Sequence, residues 1–363
     1  MQRSDLPAPF PWFGGKRKVA DIVWQRFGRV VNYVEPFFGS GAVLLGRPSP
    51  FVGNETINDL DGYVANFWRA VKHAPKDVAE HADNPVNEND LHARHVWLLQ
   101  KRETLQSRLD GDPDFFDAQI AGYWVWGLAC WIGSGFCSGT GPWWVDEDRK
   151  LVHLGDNGRG VNRKLVHLGN NGRGVNRQLV HLGGNGQGRE PQARLAPWFL
   201  ALAERLKRVR VCSGDWTRVC GPSVTFKHGL TGMFLDPPYA DTADRTSDLY
   251  RTDSESVAHA VREWAIENGD NKLLRIALCG YEGEHEMPGS WSVYEWSAGE
   301  GFGAQAEQRS GNGKQERIWF SPACQAARQA SLFGDQRSCS GPNGEPKLCV
   351  NVDISGVDKW GTR

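Results

Sequence analysis

The chain has 363 residues, a formal net charge of −1 and 40% hydrophobic residues. That length supports one substantial core with a smaller second unit, and the near-neutral charge confines any surface for a polyanion to a local patch. No apolar run of about 18 residues could span a membrane, and the first residues lack the apolar core of a secretion signal, so we expect a cytoplasmic protein.

The first 72 residues show short strands that alternate with helices. Residues 30–35 (VVNYVE) form a β-branched apolar run that predicts a strand, which leads into a turn containing Gly39 and Gly41 and then a helix start. Residues 51–53 predict a second strand that ends before Glu55. Apolar residues spaced by three and four predict an amphipathic helix over 58–72. Such alternation is typical of a parallel sheet with crossover helices, the doubly wound α/β class.

The middle of the chain changes character. Residues 75–114 are polar and predict one helix at about 90–109, and residues 115–144 are rich in tryptophan. A helix over 118–132 with so many aromatic residues is expected to pack against the catalytic sheet rather than to stack on bases. The loop at 136–144, which contains glycine and serine, could reach DNA.

Three copies of a 14-residue repeat follow, over residues 149–190. Their sequences are RKLVHLGDNGRGVN, RKLVHLGNNGRGVN and RQLVHLGGNGQGRE. Each copy has a short extended stretch, Leu-Val-His-Leu, and then a glycine-rich turn with an Asn-Gly pair. This pattern predicts β-hairpins or stacked turns rather than helix.

Regular α/β patterns resume after the repeats. They predict helices over 195–209 and 254–268 and strands over 209–212, 232–235, 273–278 and 317–320. The sheet is therefore interrupted in sequence. We expect a discontinuous catalytic domain that comprises residues 1–72 and 195–323. Residues 73–194, which contain the repeats, are expected to form an inserted target-recognition region, and residues 324–363 a flexible tail.

The turn at Gly39 and Gly41 allows close approach of a ligand to the backbone, because glycine has no Cβ and adopts positive φ readily. The full GxGxxG pattern of dinucleotide-binding folds is absent, since Leu44 replaces the third glycine, and this disfavours a nicotinamide cofactor. Glu55 follows the second predicted strand, where an acidic residue commonly accepts hydrogen bonds from ribose hydroxyls. The eight cysteines form no CxxC pair and the histidines lack metal-ligand spacing, so we expect no metal.

The tetrapeptide Asp236-Pro237-Pro238-Tyr239 follows an apolar strand. Two prolines after a strand impose an extended, rigid turn, which fixes a carboxylate beside an outward-facing carbonyl. Such a pair can accept both hydrogens of an exocyclic amine and turn its lone pair towards an electrophile, while the tyrosine offers a face for a flat base. The chemistry indicated is methylation of an amine. An ordinary surface turn is the alternative for the tetrapeptide alone.

With these motifs the chain resembles the Dam-type, D12-class DNA adenine-N6 methyltransferases over residues 9 to about 321, apart from the insertion. The matching segments, in order, are residues 11–16 (PWFGGK), 35–41 (EPFFGSG), Glu55 with 58–60 (NDL), and 236–239 (DPPY). The resemblance implies a Rossmann-like methyltransferase sheet interrupted by the inserted region, and S-adenosylmethionine as the cofactor. It implies catalysis by residues 236–239 and cofactor contacts from Trp12, Lys16, Phe37, Gly39, Gly41, Glu55, Asp215 and Asp236.

Two of the implied cofactor residues, Glu55 and Asp215, differ from the family pattern or also suit a structural role. The family often has aspartate at the ribose-binding position, and Glu55 is longer but keeps the same acceptors. Asp215 is similar to an acidic residue that the family sets near the cofactor adenine, and it is also suited to cap the turn after its strand.

The repeats replace the family's target-recognition segment and match none whose target is known. They hold eight basic residues against two acidic ones, which makes them the concentrated basic element of a neutral chain. We predict that they contact double-stranded DNA; a duplicated, tolerated surface loop is the alternative. The residues expected at DNA are Arg149, Lys150, Arg159, Arg163, Lys164, Arg173 and Arg177.

Methylation of cytosine N4, or of an amine in RNA or protein, is the alternative reaction, and a catalytically inactive DNA-binding relative is the alternative from another class. We expect a monomer. An orphan enzyme of a phage or mobile element and the partner of a restriction endonuclease would share this sequence pattern.

Overall fold

The protein is described by a computed structural model, which covers residues 6–10, 16–131, 136–137, 143–145, 151–153, 192–238, 251–296 and 316–326. All these residues lie within one compact unit, Met1–Ala326. The six cysteines in these ranges are free thiols. None of the helices in the described ranges has the length and apolar character needed to cross a membrane.

Seven strands form the central sheet. The strands of the described residues are β1 (Asn32–Glu35), β2 (Asn54–Asp59), β3 (Trp143–Val145), β4 (Leu151–His153), β5 (Val209–Ser213), β6 (Thr231–Leu235), β7 (Leu274–Tyr281), β8 (Ser292–Trp296) and β9 (Glu316–Phe320). The sheet order is β5-β2-β1-β6-β7-β9-β8. Strands β5, β2, β1, β6 and β7 pair in parallel, and β9 is antiparallel to both β7 and β8. This confirms the predicted doubly wound, Rossmann-like α/β fold.

Helices connect and cover the strands. They are α1 (Ala20–Phe27), α2 (Ala42–Leu45), α3 (Gly62–His73), α4 (Pro75–Ala82), α5 (Glu88–Gly111), α6 (Ala118–Cys130), α7 (Gln192–Leu206) and α8 (Arg251–Asn268). Side chains of Asp61, Asn87 and Asp117 cap the first turns of α3, α5 and α6 by accepting backbone N–H groups. These caps explain where the helices begin.

The predicted strand before Glu55 is wrong in position. Residues 51–53 are not part of it; β2 runs from Asn54 to Asp59 and includes Glu55. The sequence NETIND hides the strand, because three of its four buried positions carry polar side chains, and those of Glu55 and Asn58 find their partners elsewhere in the fold. The predicted helix over 58–72 starts later for the same reason, at Gly62.

The apolar residues divide between the two faces of the sheet. On β6, Phe234 packs in the core cluster that contains α1 to α7, whereas Met233 and Leu235 pack in the cluster that contains α8. This alternation is the period of two expected for a strand that is buried on both faces. The aromatic helix α6 lies in the first cluster with Trp124 and Trp126 buried, which confirms the prediction that it packs in the core.

Helices α4 to α6 fall within the region predicted as an insertion, and they share the first core cluster with α3 and α7. The division into domains stays a prediction. In the first repeat copy, Leu151–His153 pairs antiparallel with Trp143–Val145, so the extended conformation predicted there is confirmed for that copy. The remaining repeat residues 154–190 and the predicted tail from 327 onward lie outside the described residues.

Candidate active site at the carboxyl edge of the sheet

The strand order reverses between β1 and β6. From β1 the chain continues through β2 to β5 on one side, whereas β6 continues to β7 on the other. The loops that follow β1 and β6 therefore separate and leave a crevice at their carboxyl ends, which is where open α/β sheets bind ligands. The turn at residues 36–41 follows β1, and Asp236-Pro237 follows β6. The fold thus brings together the two motifs that the sequence singled out.

The glycine turn is held in a left-handed conformation. Gly39 has φ +46° and Gly41 has φ +71°, and a Cβ on Gly41 would lie 2.6 Å from the Phe38 ring. The Gly39 carbonyl accepts a hydrogen bond from Trp68 Nε1 at 2.8 Å. Both glycines are therefore required by the backbone geometry, and the turn is anchored to α3.

Asn58, the penultimate residue of β2, links the loops around the crevice. Its Nδ2 donates to the Pro36 carbonyl at 3.1 Å and to the Gly214 carbonyl at 2.8 Å. Because both partners are acceptors, the amide orientation is determined, and Oδ1 is buried without a hydrogen-bond partner among the described residues. Ser213 Oγ, at the end of β5, is likewise buried and unsatisfied there. Such orphaned polar atoms fit a site for a polar ligand.

Asp59 ends β2 at this same edge. One carboxylate oxygen accepts the Gly39 N–H at 2.9 Å and the other accepts the Asp61 N–H at 2.9 Å. Burial, with repulsion from Asp61 added, raises the pKa of Asp59 to about 7 although these backbone donors oppose the rise. Further donors from a ligand would stabilise the charged carboxylate. The sequence patterns placed Asp59 inside a predicted helix, and the family resemblance named it only as part of the segment 58–60, with Glu55 as the ribose-binding residue.

Lys16 joins the site from the N-terminal segment. Its Nζ lies 3.0 Å from Asp236 Oδ1 and 3.5 Å from Glu316 Oε2, with the lysine side chain 6% exposed. Burial by itself lowers the pKa of Lys16, but the attraction of Asp236 and Glu316 outweighs it, so the pKa is raised above its usual value. Lys16 is therefore a charged ammonium in contact with the carboxylate that the sequence identified as catalytic.

Glu35, the last residue of β1, adds a further acidic group. Its Oε2 accepts a hydrogen bond from the Tyr33 hydroxyl at 2.7 Å. Burial raises the pKa of Glu35 well above its usual value, and the nearby Asp236 and Asp59 add to the rise. The raised pKa favours the neutral form of Glu35, so among these described groups the charged ones in direct contact are Lys16, Asp236 and Glu316.

Aromatic rings and Asp215 line the β5 side of the crevice. Phe37, half-buried in the glycine turn, stacks on Trp216 with ring centroids 6.3 Å apart. Asp215 is exposed after β5, and its carboxylate accepts the Thr217 N–H at 3.0 Å. The residue therefore caps a short 3₁₀ helix, the alternative foreseen for it, and also lies at the carboxyl edge of the sheet.

Glu55 does not join the site, which corrects the prediction for this residue. It is the second residue of β2, about 13 Å along the strand from Asp59. Arg47 Nη1 lies 2.8 Å from Glu55 Oε1, and Arg205 Nη1 lies 2.7 Å from Oε2, with all three side chains buried. Both acceptor oxygens are therefore engaged by arginine at the opposite end of the sheet.

Several predicted residues lie outside the described ranges. They are Trp12, Tyr239 and the basic residues of the repeats, Arg149, Lys150, Arg159, Arg163, Lys164, Arg173 and Arg177. Within the described ranges, no group of three or more His, Cys, Asp or Glu side chains is arranged to hold a metal ion. Glu316 is a further site residue that the fold adds, and Asn58 gains a defined role from the segment 58–60.

Substitution of Glu55 separates a structural role from a cofactor role. We expect Glu55→Gln to lower the free energy of unfolding by about 3–5 kcal/mol, because two buried guanidinium groups lose their counter-charge. The exposed partner of Lys207 provides a matched control, and Glu204→Gln should cost less than about 1 kcal/mol. Urea denaturation measures both. Wild-type stability of Glu55→Gln together with weakened cofactor binding would instead support the ribose-binding role.

The comparison with known families agrees with this geometry. The model of the D12 class N6 adenine-specific DNA methyltransferases matches residues 12–113. The match includes Lys16, the glycine turn and Asp59, and it ends before Asp236. No curated protein matches the chain. Over residues 12–113, within its Rossmann-like sheet, the chain is therefore similar to the D12 class of N6 adenine-specific DNA methyltransferases, a family of transferase enzymes.

Proposed function

We propose that this protein transfers a methyl group from S-adenosylmethionine to the N6 amine of an adenine that is flipped out of a specific site in double-stranded DNA. The observation that carries the proposal is the position of Asp236-Pro237, directly after β6 at the reversal of strand order, with the buried Lys16 ammonium against the carboxylate. The family supports DNA adenine methylation; the cofactor, the flipped base and the site specificity are our inference.

The crevice fits S-adenosylmethionine in its chemistry. Asp59, whose carboxylate is partly desolvated, suits the ribose hydroxyls, and the Phe37 ring suits the adenine face. The glycine turn permits close approach of the cofactor to the backbone, and we assign Asp215 to the adenine amine, as the family resemblance implies. We assign the Lys16 ammonium to the carboxylate of the cofactor, the contact that the family resemblance implies. We assign to Trp12 the cofactor contact that the family resemblance implies.

When bound, the cofactor supplies an electrophilic methyl group on a sulfonium, and the C–S bond breaks as the new N–C bond forms. Asp59 and Asp236 place carboxyl groups at this edge of the sheet, and Asp59 is ionised above its pKa of about 7. Their field stabilises a cationic cofactor more than a neutral product. This difference helps exchange of product for fresh cofactor.

Asp236 and Pro237 act on the target amine. The Asp236 carboxylate and the Pro237 carbonyl each accept one N6 hydrogen, which localises the nitrogen lone pair and directs it at the methyl group. The target nitrogen loses one N–H proton when it gains the methyl group, and this proton leaves along the hydrogen bond to Asp236. Pro237 and Pro238 have no N–H groups, so their turn cannot be drawn into a helix. Tyr239 provides the stacking face for the base.

Access to the amine requires that adenine leave the helix, because N6 of a paired adenine is hydrogen-bonded within the duplex. We place the choice of DNA site in the inserted region, with the basic repeats at 149–190 contacting the phosphate backbone and groove. The basic residues are concentrated in these repeats, and a chain of near-neutral net charge needs such a local patch to bind DNA.

Methyl transfer tests the function directly. Labelled S-adenosylmethionine and unmethylated DNA should yield N6-methyladenine with the wild type, and Asp236→Ala should lower the rate at least about 100-fold because an amine acceptor is lost. Asp270→Ala removes an exposed carboxylate before β7, at the far edge of the sheet, and should be neutral. Nucleoside analysis identifies the product. Absence of transfer by wild type, or N4-methylcytosine as the product, contradicts the proposal.

The role of Asp59 predicts a pH dependence of cofactor binding. With a pKa of about 7, Asp59 is mostly protonated at pH 6 and mostly ionised at pH 8, so affinity for S-adenosylmethionine should rise about tenfold between these pH values. Asp59→Asn should bind about 10- to 100-fold more weakly at pH 8 and lose this dependence. Calorimetric titrations at both pH values provide the measurement. An unchanged pH dependence in Asp59→Asn removes Asp59 from the cofactor site.

The second repeat copy tests the DNA contacts. Deletion of residues 163–176 removes three basic residues, Arg163, Lys164 and Arg173. If all three neutralise phosphates, the slope of log affinity against log salt should become shallower by up to about 2.7. A triple glutamine variant at these positions is the control for loop length and should reproduce the loss. DNA affinity and slope equal to wild type in both variants would indicate a tolerated surface loop.

A further inference from the structure

Two carboxylates, those of Asp236 and Glu316, share the buried Lys16 ammonium. Lys16 Nζ lies 3.0 Å from Asp236 Oδ1 and 3.5 Å from Glu316 Oε2. The Glu316 side chain is 7% exposed, so water screens this contact little. The ammonium also lies 5.7 Å from the centre of the Trp296 ring, which covers it on the β8 side. Glu316 is therefore built into the surroundings of the catalytic carboxylate.

The backbone of Glu316 is fixed on both sides. Glu316 is the first residue of β9, where it pairs with Tyr281 of β7 and with Trp296 of β8. Lys16 and Asp236, in contrast, belong to a short 3₁₀ helix and to the turn after β6. Of the three charged groups, Glu316 alone is held within a ladder of the sheet, so it can serve as the fixed point for the other two.

The charges of Lys16, Asp236 and Glu316 determine how strongly Asp236 can accept a hydrogen bond. A lysine paired with Asp236 alone would neutralise the carboxylate and weaken it as an acceptor for an amine. Here the Lys16 ammonium is shared between Asp236 and Glu316, so its charge does not act on Asp236 alone. The two carboxylates together also offset the desolvation of the buried ammonium, and they keep the pKa of Lys16 raised.

We propose that Glu316 is a positioning residue for methyl transfer, which acts by holding the Lys16 ammonium against Asp236. The proposal rests on the methyltransferase function proposed above. Glu316 is distinct from the catalytic residues because it acts through Lys16 and not on the target amine. The consequence is that its removal should slow the chemical step while leaving the binding of both substrates nearly unchanged.

The test compares Glu316→Gln with Glu295→Gln. Glutamine keeps the shape of Glu316 and removes its charge. Glu295, on the adjacent strand, is an exposed partner of Arg317 and serves as the matched control. At saturating S-adenosylmethionine and DNA, the single-turnover rate of Glu316→Gln should fall about 10- to 100-fold, with dissociation constants within about threefold of wild type. The control should retain the wild-type rate, and Glu316→Asp, which keeps the charge, should recover part of it.

A double-mutant cycle shows whether Glu316 acts through Lys16. If it does, Glu316→Gln should cause little further loss in a Lys16→Gln background, so the two effects are not additive. Additive losses, or a wild-type single-turnover rate in Glu316→Gln, would overturn the proposal. Thermal melting identifies a folding defect, and if Glu316→Gln does not fold, Glu316→Asp carries the same cycle. A wild type that transfers no methyl group contradicts the proposed function instead, so the two failures are distinguishable.

Discussion

The parallel pairing of β1 with both β2 and β6 is the constraint on which the site depends. Because the chain leaves β1 in one direction across the sheet and β6 in the other, two loops diverge at the carboxyl ends of neighbouring strands. The register aligns Val34 with Met233 and Glu35 with Ile57, so the glycine turn, Asp59 and Asp236 all emerge at one edge. Residues separated by about two hundred positions in sequence thereby become neighbours.

Polar groups in this sheet fall into two networks with opposite charge balance. At the amino end of β2, Arg47 and Arg205 surround a single carboxylate, that of Glu55, and their guanidinium groups also donate to the Val30 and Leu44 carbonyls. Both Glu55 oxygens are paired there, although Arg205 Nε is buried without a hydrogen-bond partner in the described structure. At the carboxyl end of the described sheet the groups are mainly carboxyls, and Asn58 Oδ1 and Ser213 Oγ are buried without hydrogen-bond partners. Burial raises the pKa values of Glu35 and Asp59 at this end, and a cluster of carboxyl groups with perturbed pKa values is typical of a ligand site.

The ion pair between Lys16 and Asp236 connects the two substrates of the proposed reaction. Lys16 belongs to the segment that the family resemblance assigns to the cofactor, and Asp236 belongs to the motif assigned to the target amine. Because their charged atoms lie 3.0 Å apart, a change in the charge of either residue alters the electrostatic potential at both the cofactor and the target amine. Glu316 adds the third member of this group from a strand late in the chain.

Much of the protein is encoded locally. The β-branched run before Glu35, the glycine turn, the prolines after Asp236 and the amphipathic spacing of α3 and α8 all follow from short-range backbone rules, so fold class, strand-helix order and the reaction could be predicted from sequence. The strand β2, the location of Glu55 and the contacts of Asp59 and Glu316 could not. In each case the decisive partner is distant: Arg205 is 150 positions from Glu55, and Lys16 is 300 positions from Glu316. A polar residue buried in a strand has the same local pattern as an exposed one, and only tertiary packing, by supplying or withholding its counter-charge, decides whether it stabilises the fold or serves the site.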